Sequence, residues 1–140
     1  MKLAIYRHFA TEARRPTTGD LAASTGSAAE DVVAALARLR GQRVLLLEPD
    51  GATIRMAPPF SGVPTQHVAE VAGRRYFANC AWDALGIPAA LQQAGVVHSR
   101  CEQSQEPLHL AVGRDGPEPS EWLFHCVVPA ARWWDDLVFT

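Results

Sequence analysis

The sequence predicts an α+β protein, with a winged-helix-like helical lobe at the N-terminus and then a small, mostly antiparallel sheet that carries one short helix. Three observations lead there. Apolar residues before about residue 40 recur at helical spacing, in stretches broken by Pro16 and Gly26. Pro49-Asp50-Gly51 separates two apolar runs as a hairpin turn does. Beyond the Pro/Gly-rich stretch Ala57–Pro64 the apolar runs turn short and strand-like. The expected division is residues 1–60 for the first lobe and 61–140 for the second.

In chain order, Leu3, Ile5, Tyr6, Phe9, Ala10 and Ala13 form the apolar side of a first helix that Pro16 ends. Thr17 to Gly26 reads as a short capped helix, and Ser27-Ala28-Ala29-Glu30 as a capping box for a third helix with Val32, Val33, Leu36 and Leu39 inward. Val44–Glu48 and Thr53–Met56 make the hairpin. Ala57–Pro64 reads as a linker, Val68–Val71 as a strand, and Val96–Cys101, Pro107–Val112 and Trp122–Val128 as three more. Gly113–Pro119 is a turn that breaks an edge.

Two helices joined by a tight glycine turn raise the possibility of DNA reading, but the second begins Ser27, Ala28, Ala29, Glu30 and Asp31. Small and acidic residues there neither read base edges nor neutralise phosphates. Arg38, Arg40 and Arg43 lie at its far end and read as a solvated face. The net charge of −2 likewise gives no pull toward nucleic acid or an anionic membrane. No apolar run is long enough to span a bilayer, and the first residues turn charged too soon for a signal peptide, so the expected location is the cytoplasm. Three cysteines in a reducing compartment read as free thiols.

The chemistry centres on Arg74-Arg75-Tyr76-Phe77-Ala78-Asn79-Cys80-Ala81-Trp82-Asp83-Ala84-Leu85-Gly86-Ile87-Pro88. Asn79 is the expected N-cap, Cys80 the first helical residue, and Gly86 with Pro88 the stop after one or two turns, with Ala89–Gln93 as a continuation. Cys80 and Asp83 then share a helix face. A thiol at a helix N-terminus is expected to ionise more readily, whereas a carboxyl among Tyr76, Phe77, Trp82 and Leu85 is expected to hold its proton. Alone, Cys-x-x-Asp also fits an inert core cysteine.

Three further elements accompany it in order: Pro64-Thr65-Gln66-His67, Gly73-Arg74 before an aromatic pair, and Ser99-Arg100-Cys101. Together they resemble the central segment of the alkylmercury (organomercurial) lyase family, over about half of the chain. The resemblance implies protonolysis of a carbon–mercury bond, with Cys80 as first thiolate and Asp83 as proton donor, and no cofactor, mercury being bound as substrate and product. It implies organomercurials and thiols as partners, and a mercuric reductase to accept Hg(II). The family's second mercury-binding cysteine follows a segment that Val128–Thr140 resembles, and would come directly after Thr140, so a short or C-terminally truncated member is expected. Within the sequence Cys126 is the candidate second metal ligand, though an apolar strand position also suits a small buried hydrophobe. Cys101 reads as structural, and His67, His98, His109 and His125 have no metal-site spacing. A single placed thiolate implies mercury binding with slow or absent protonolysis. A winged-helix metal-sensing regulator and a catalytically inactive metal-binding relative are the alternatives.

Overall fold

The computed structural model describes residues 1–126 and 128–137. Three helices come first, α1 (Lys2–Glu12), α2 (Thr18–Thr25) and α3 (Ala29–Gly41), followed by short strands β1 (Leu46–Leu47), β2 (Ile54–Ala57) and β3 (Phe60–Ser61) in an antiparallel sheet of order β1-β2-β3. The second half contains β4 (Val68–Val71), β5 (Arg74–Phe77), α4 (Ala81–Leu91), β6 (Gly95–Arg100), β7 (Pro107–Gly113) and β8 (Gly116–Pro117). Its strands form an antiparallel sheet of order β5-β4-β6-β7-β8, and a 3-10 turn, Ala130–Asp135, follows.

Local chemistry explains the helical half. Thr17 and Asp20 cap α2 reciprocally, and Arg14 also binds the Asp20 carboxylate, at 2.8 Å. The capping box expected at Ser27 does not form. Its hydroxyl pairs with Thr25 Oγ1 instead, and Ala28 occupies the N-cap of α3 without a side-chain bond. α3 buries Val32, Ala35 and Leu36, while Val33, expected inward, faces out.

The stretch expected to be a linker is built into the structure: Ala57 ends β2, Phe60 begins β3, and both are buried. Phe60 stacks on Phe9 of α1, with ring centroids 5.2 Å apart, and meets Tyr76 of β5 at 5.9 Å. It also bridges to Ala78, and the Tyr76 hydroxyl donates to the Ala10 carbonyl at 2.9 Å. One apolar core therefore runs from Ile5 and Phe9 through Phe60 to Val71, Ile87 and Val97.

The five-stranded sheet buries one face. Ala69, Val71, Tyr76, Val97, Leu108, Leu110 and Val112 point toward the core and α4, as strand alternation requires. β5 was absent from the sequence reading because its exposed Arg74 and Arg75 hide the alternation. The predicted strand Trp122–Val128 is not one: residues 122–126 run without ladder pairing, and Leu123 is 90% exposed. Val127, within that prediction, lies outside the described residues.

Removing the Phe60 ring takes away the piece shared by both halves. Phe60→Ala is expected to cost about 3–5 kcal/mol, the usual range for a buried Phe. Urea unfolding followed by fluorescence checks this, and a loss below about 1 kcal/mol would mean that the halves do not rely on the ring.

Candidate active site

The start of α4 is held by a clamp made from the Pro-Thr-x-His turn. Thr65 Oγ1 donates to the Ala78 carbonyl at 2.6 Å, and Ala78 N donates to the His67 carbonyl at 2.9 Å. His67 is itself buried, its Nδ1 2.7 Å from Ser99 Oγ on β6. Burial pushes the His67 imidazole down, while Glu102 beside Nε2, at 3.4 Å, pulls the other way. Thr65, His67 and Ser99 thus tie β4, β5 and β6 together just where the chain leaves the sheet for Asn79 and Cys80.

Cys80, not Asn79, occupies the N-cap of α4. The Asn79 side chain turns instead to the Asp83 carboxylate, Nδ2 donating to Oδ2 at 2.7 Å, and its Oδ1, the atom a cap would use, has no hydrogen-bond partner among the described residues. The helix also runs past its expected stop, over 11 residues with Pro88 inside it. The missing hydrogen bond at Pro88 is offset by packing, since that side chain is buried against β6, where a β-carbon on Gly95 would lie 3.3 Å from Pro88 Cγ.

Asp83 behaves as expected. Burial raises its carboxyl above the ordinary range, and the Asn79 hydrogen bond pulls it partly back. Cys80 does not. Its thiol is half-buried, and burial raises it above the usual thiol value. The backbone N–H groups of Asp83 and Trp82 favour the thiolate, but Cys80 forms no side-chain cap hydrogen bond, and the Asp83 and Cys126 charges add to the rise. The expected lowering fails because desolvation outweighs the helix end.

Two further groups border the pair. Tyr6 of α1, whose hydroxyl donates to the Pro58 carbonyl at 3.1 Å, is raised first by burial and then by the Asp83 charge, so the first helix supplies part of the wall. Above α4 the segment carrying Phe124 and Cys126 crosses over, with the Phe124 ring 5.5 Å from Trp82. Cys126 is exposed, in an unpaired stretch, and its charge is felt at Cys80. The buried strand position suggested for it is thereby excluded. Cys101 stands apart, its thiol lowered by hydrogen bonds from Ser104. Asn79, Thr65 and Tyr6 were missed as site residues. Only the Thr-x-His turn left any trace in the sequence.

The alkylmercury lyase family model matches residues 60–140, more than half of the chain. The chain belongs to the alkylmercury lyase family. An alkylmercury lyase of Pseudomonas putida is 37% identical over 70 residues, a stretch that takes in 48% of this chain and 33% of that protein. The chain thus spans about a third of that curated relative. A solved crystal structure described as the mercury-bound form of MerB2 superposes with a TM-score of 0.66 at 24% identity, covering 86% of this chain and 59% of that one. That likeness supports the mixed helix and antiparallel-sheet fold.

The raised carboxyl of Asp83 has a signature in stability. A group that binds its proton more tightly when folded stabilises the protein while protonated, and that benefit is lost as pH rises from the ordinary carboxylate range through the raised value. Asp83→Asn is therefore expected to raise the urea midpoint at pH 7 and to leave it nearly unchanged well below the carboxylate range. Parallel unfolding curves at the two pH values check this, and an Asp83→Asn variant less stable than the parent at pH 7 would contradict it.

Proposed function

We propose that the chain carries the thiolate and proton donor of an organomercurial-cleaving site, Cys80 and Asp83 respectively, with Cys126 as the second sulfur for mercury. The observation that carries this reading is the half-buried Asp83 carboxyl, raised by desolvation, near the half-buried Cys80 thiol and held by Asn79. In water such an acid would be ionised at neutral pH. In this setting burial shifts the carboxyl upward, the direction a general acid requires.

The reaction balances without redox change. The Cys80 sulfur attacks the mercury of an alkylmercury–thiol adduct, and the Cys80 proton leaves with the displaced thiol. Soft Hg(II) prefers sulfur strongly enough that a raised thiol does not prevent exchange. Asp83 then delivers its proton to the carbon bound to mercury, which departs as hydrocarbon with the carbon–mercury electron pair. Hg(II) stays on Cys80, and Cys126 supplies the second sulfur from the segment above, its proton passing to the Asp83 carboxylate left by the transfer to carbon. A mercuric reductase is the acceptor that product calls for, and the cytoplasm, where thiols stay reduced, is the compartment it suits.

The helical lobe, with its winged-helix-like order of elements, serves this reading as scaffold and as the source of Tyr6. The alternative of a DNA-reading regulator is disfavoured by Glu30 and Asp31 in the first turn of α3.

A single-turnover assay with a phenylmercury–thiol adduct tests the assignment. The parent is expected to bind one equivalent and release benzene. Asp83→Asn is expected to keep binding but lose roughly 10²–10⁴-fold in release rate, the range of a general acid, and Cys80→Ser to lose both. Benzene release by Asp83→Asn at the parent rate would remove Asp83 from the reaction.

A further inference from the structure

The sheet face turned away from α4 carries a side-chain cluster that the mercury chemistry does not use. His98 of β6 and His109 of β7 lie directly opposite each other in the antiparallel register. Their Nδ1 atoms are 2.7 Å apart and the rings meet edge to face. Behind them, on the same face, Glu70 of β4 places Oε2 3.6 Å from His98 Nε2 and is itself paired with Arg75 at 3.2 Å.

Two imidazole nitrogens this close share a proton, and Glu70 indicates which ring supplies the lone pair. A carboxylate near Nε2 favours the His98 tautomer protonated there, which leaves Nδ1 free to accept from His109 Nδ1. A carboxylate on the outer nitrogen is also the arrangement that orients metal-bound histidines. His98 Nε2 is buried, and 3.6 Å is too long for a hydrogen bond, so it has no such partner among the described residues. Drawing Glu70 inward would satisfy it.

We propose that His98 and His109 form a two-imidazole site for a divalent first-row transition ion, with Glu70 as its outer partner. Paired imidazole nitrogens suit Ni(II), Cu(II) and Zn(II), and Ni(II) serves as the probe of the class. Rotation of the exposed His109 ring, with its proton moved to Nε2, turns both lone pairs toward one ion. Among the described residues no group of three or more His, Cys, Asp or Glu side chains is arranged for a metal, so water fills the remaining positions. The site is separate from Cys80, which lies on the α4 side of the sheet.

Ni(II) titration of the full chain, free of any affinity tag, tests this by NMR of the histidine rings. The ring signals of His98 and His109 are expected to broaden first. His109→Ala is expected to weaken that binding at least tenfold, and His125→Ala to leave it within twofold. Ring signals of His98 and His109 that stay sharp while others broaden, or a His109→Ala variant that binds Ni(II) as the parent does, would overturn the proposal.

Discussion

Shielding a carboxyl from water beside a thiol is the constraint on which the rest of this structure depends. The rise at Asp83 lasts only as long as water is kept from it, so its surroundings have to come from several elements at once. Tyr6 reaches across from α1 and is held by the Pro58 carbonyl, and Asn79, which lies by the Phe60 carbonyl, holds the carboxyl from one turn earlier. Asn79 has a mixed effect. Its hydrogen bond favours the ionised form and so opposes burial, yet it also fixes where the carboxyl points. Burial wins, and orientation is retained.

The clamp of Thr65, His67 and Ser99 extends the same constraint into the sheet. A carboxyl held in one place needs its helix to begin at a fixed point, and three strands are tied together one residue before Asn79. The aromatic contacts of Phe60 then set the helical lobe against that sheet. A single core running through both halves lets a tyrosine from the first helix stand beside Asp83 of the second.

Much of this was legible in the sequence, and the exceptions share a cause. Helical spacing gave α1 and α3, and Pro49-Asp50-Gly51 gave the hairpin. What failed were inferences from one residue's habit. Asn79 is a good N-cap in isolation, but its side chain is drawn to the carboxyl four residues on and the helix begins one residue later. Pro88 is a good helix stop, but a tight fit against Gly95 keeps the helix going. A helix N-terminus lowers a thiol in water, but Cys80 is not in water. The apolar run from Trp122 reads as strand, yet it passes over Trp82 with its own side chains largely exposed. Tertiary neighbours decided each case, and no local pattern encodes them.

The central claim is that Asp83 carries a proton where ordinary aspartates do not, and a carbon-13 NMR titration of its side-chain carboxyl in the free protein measures that directly. A midpoint clearly above the ordinary aspartate range, rising further in Asn79→Ala, is the predicted result. A midpoint at or below that range would leave Asp83 ionised at neutral pH and contradict its role as the acid.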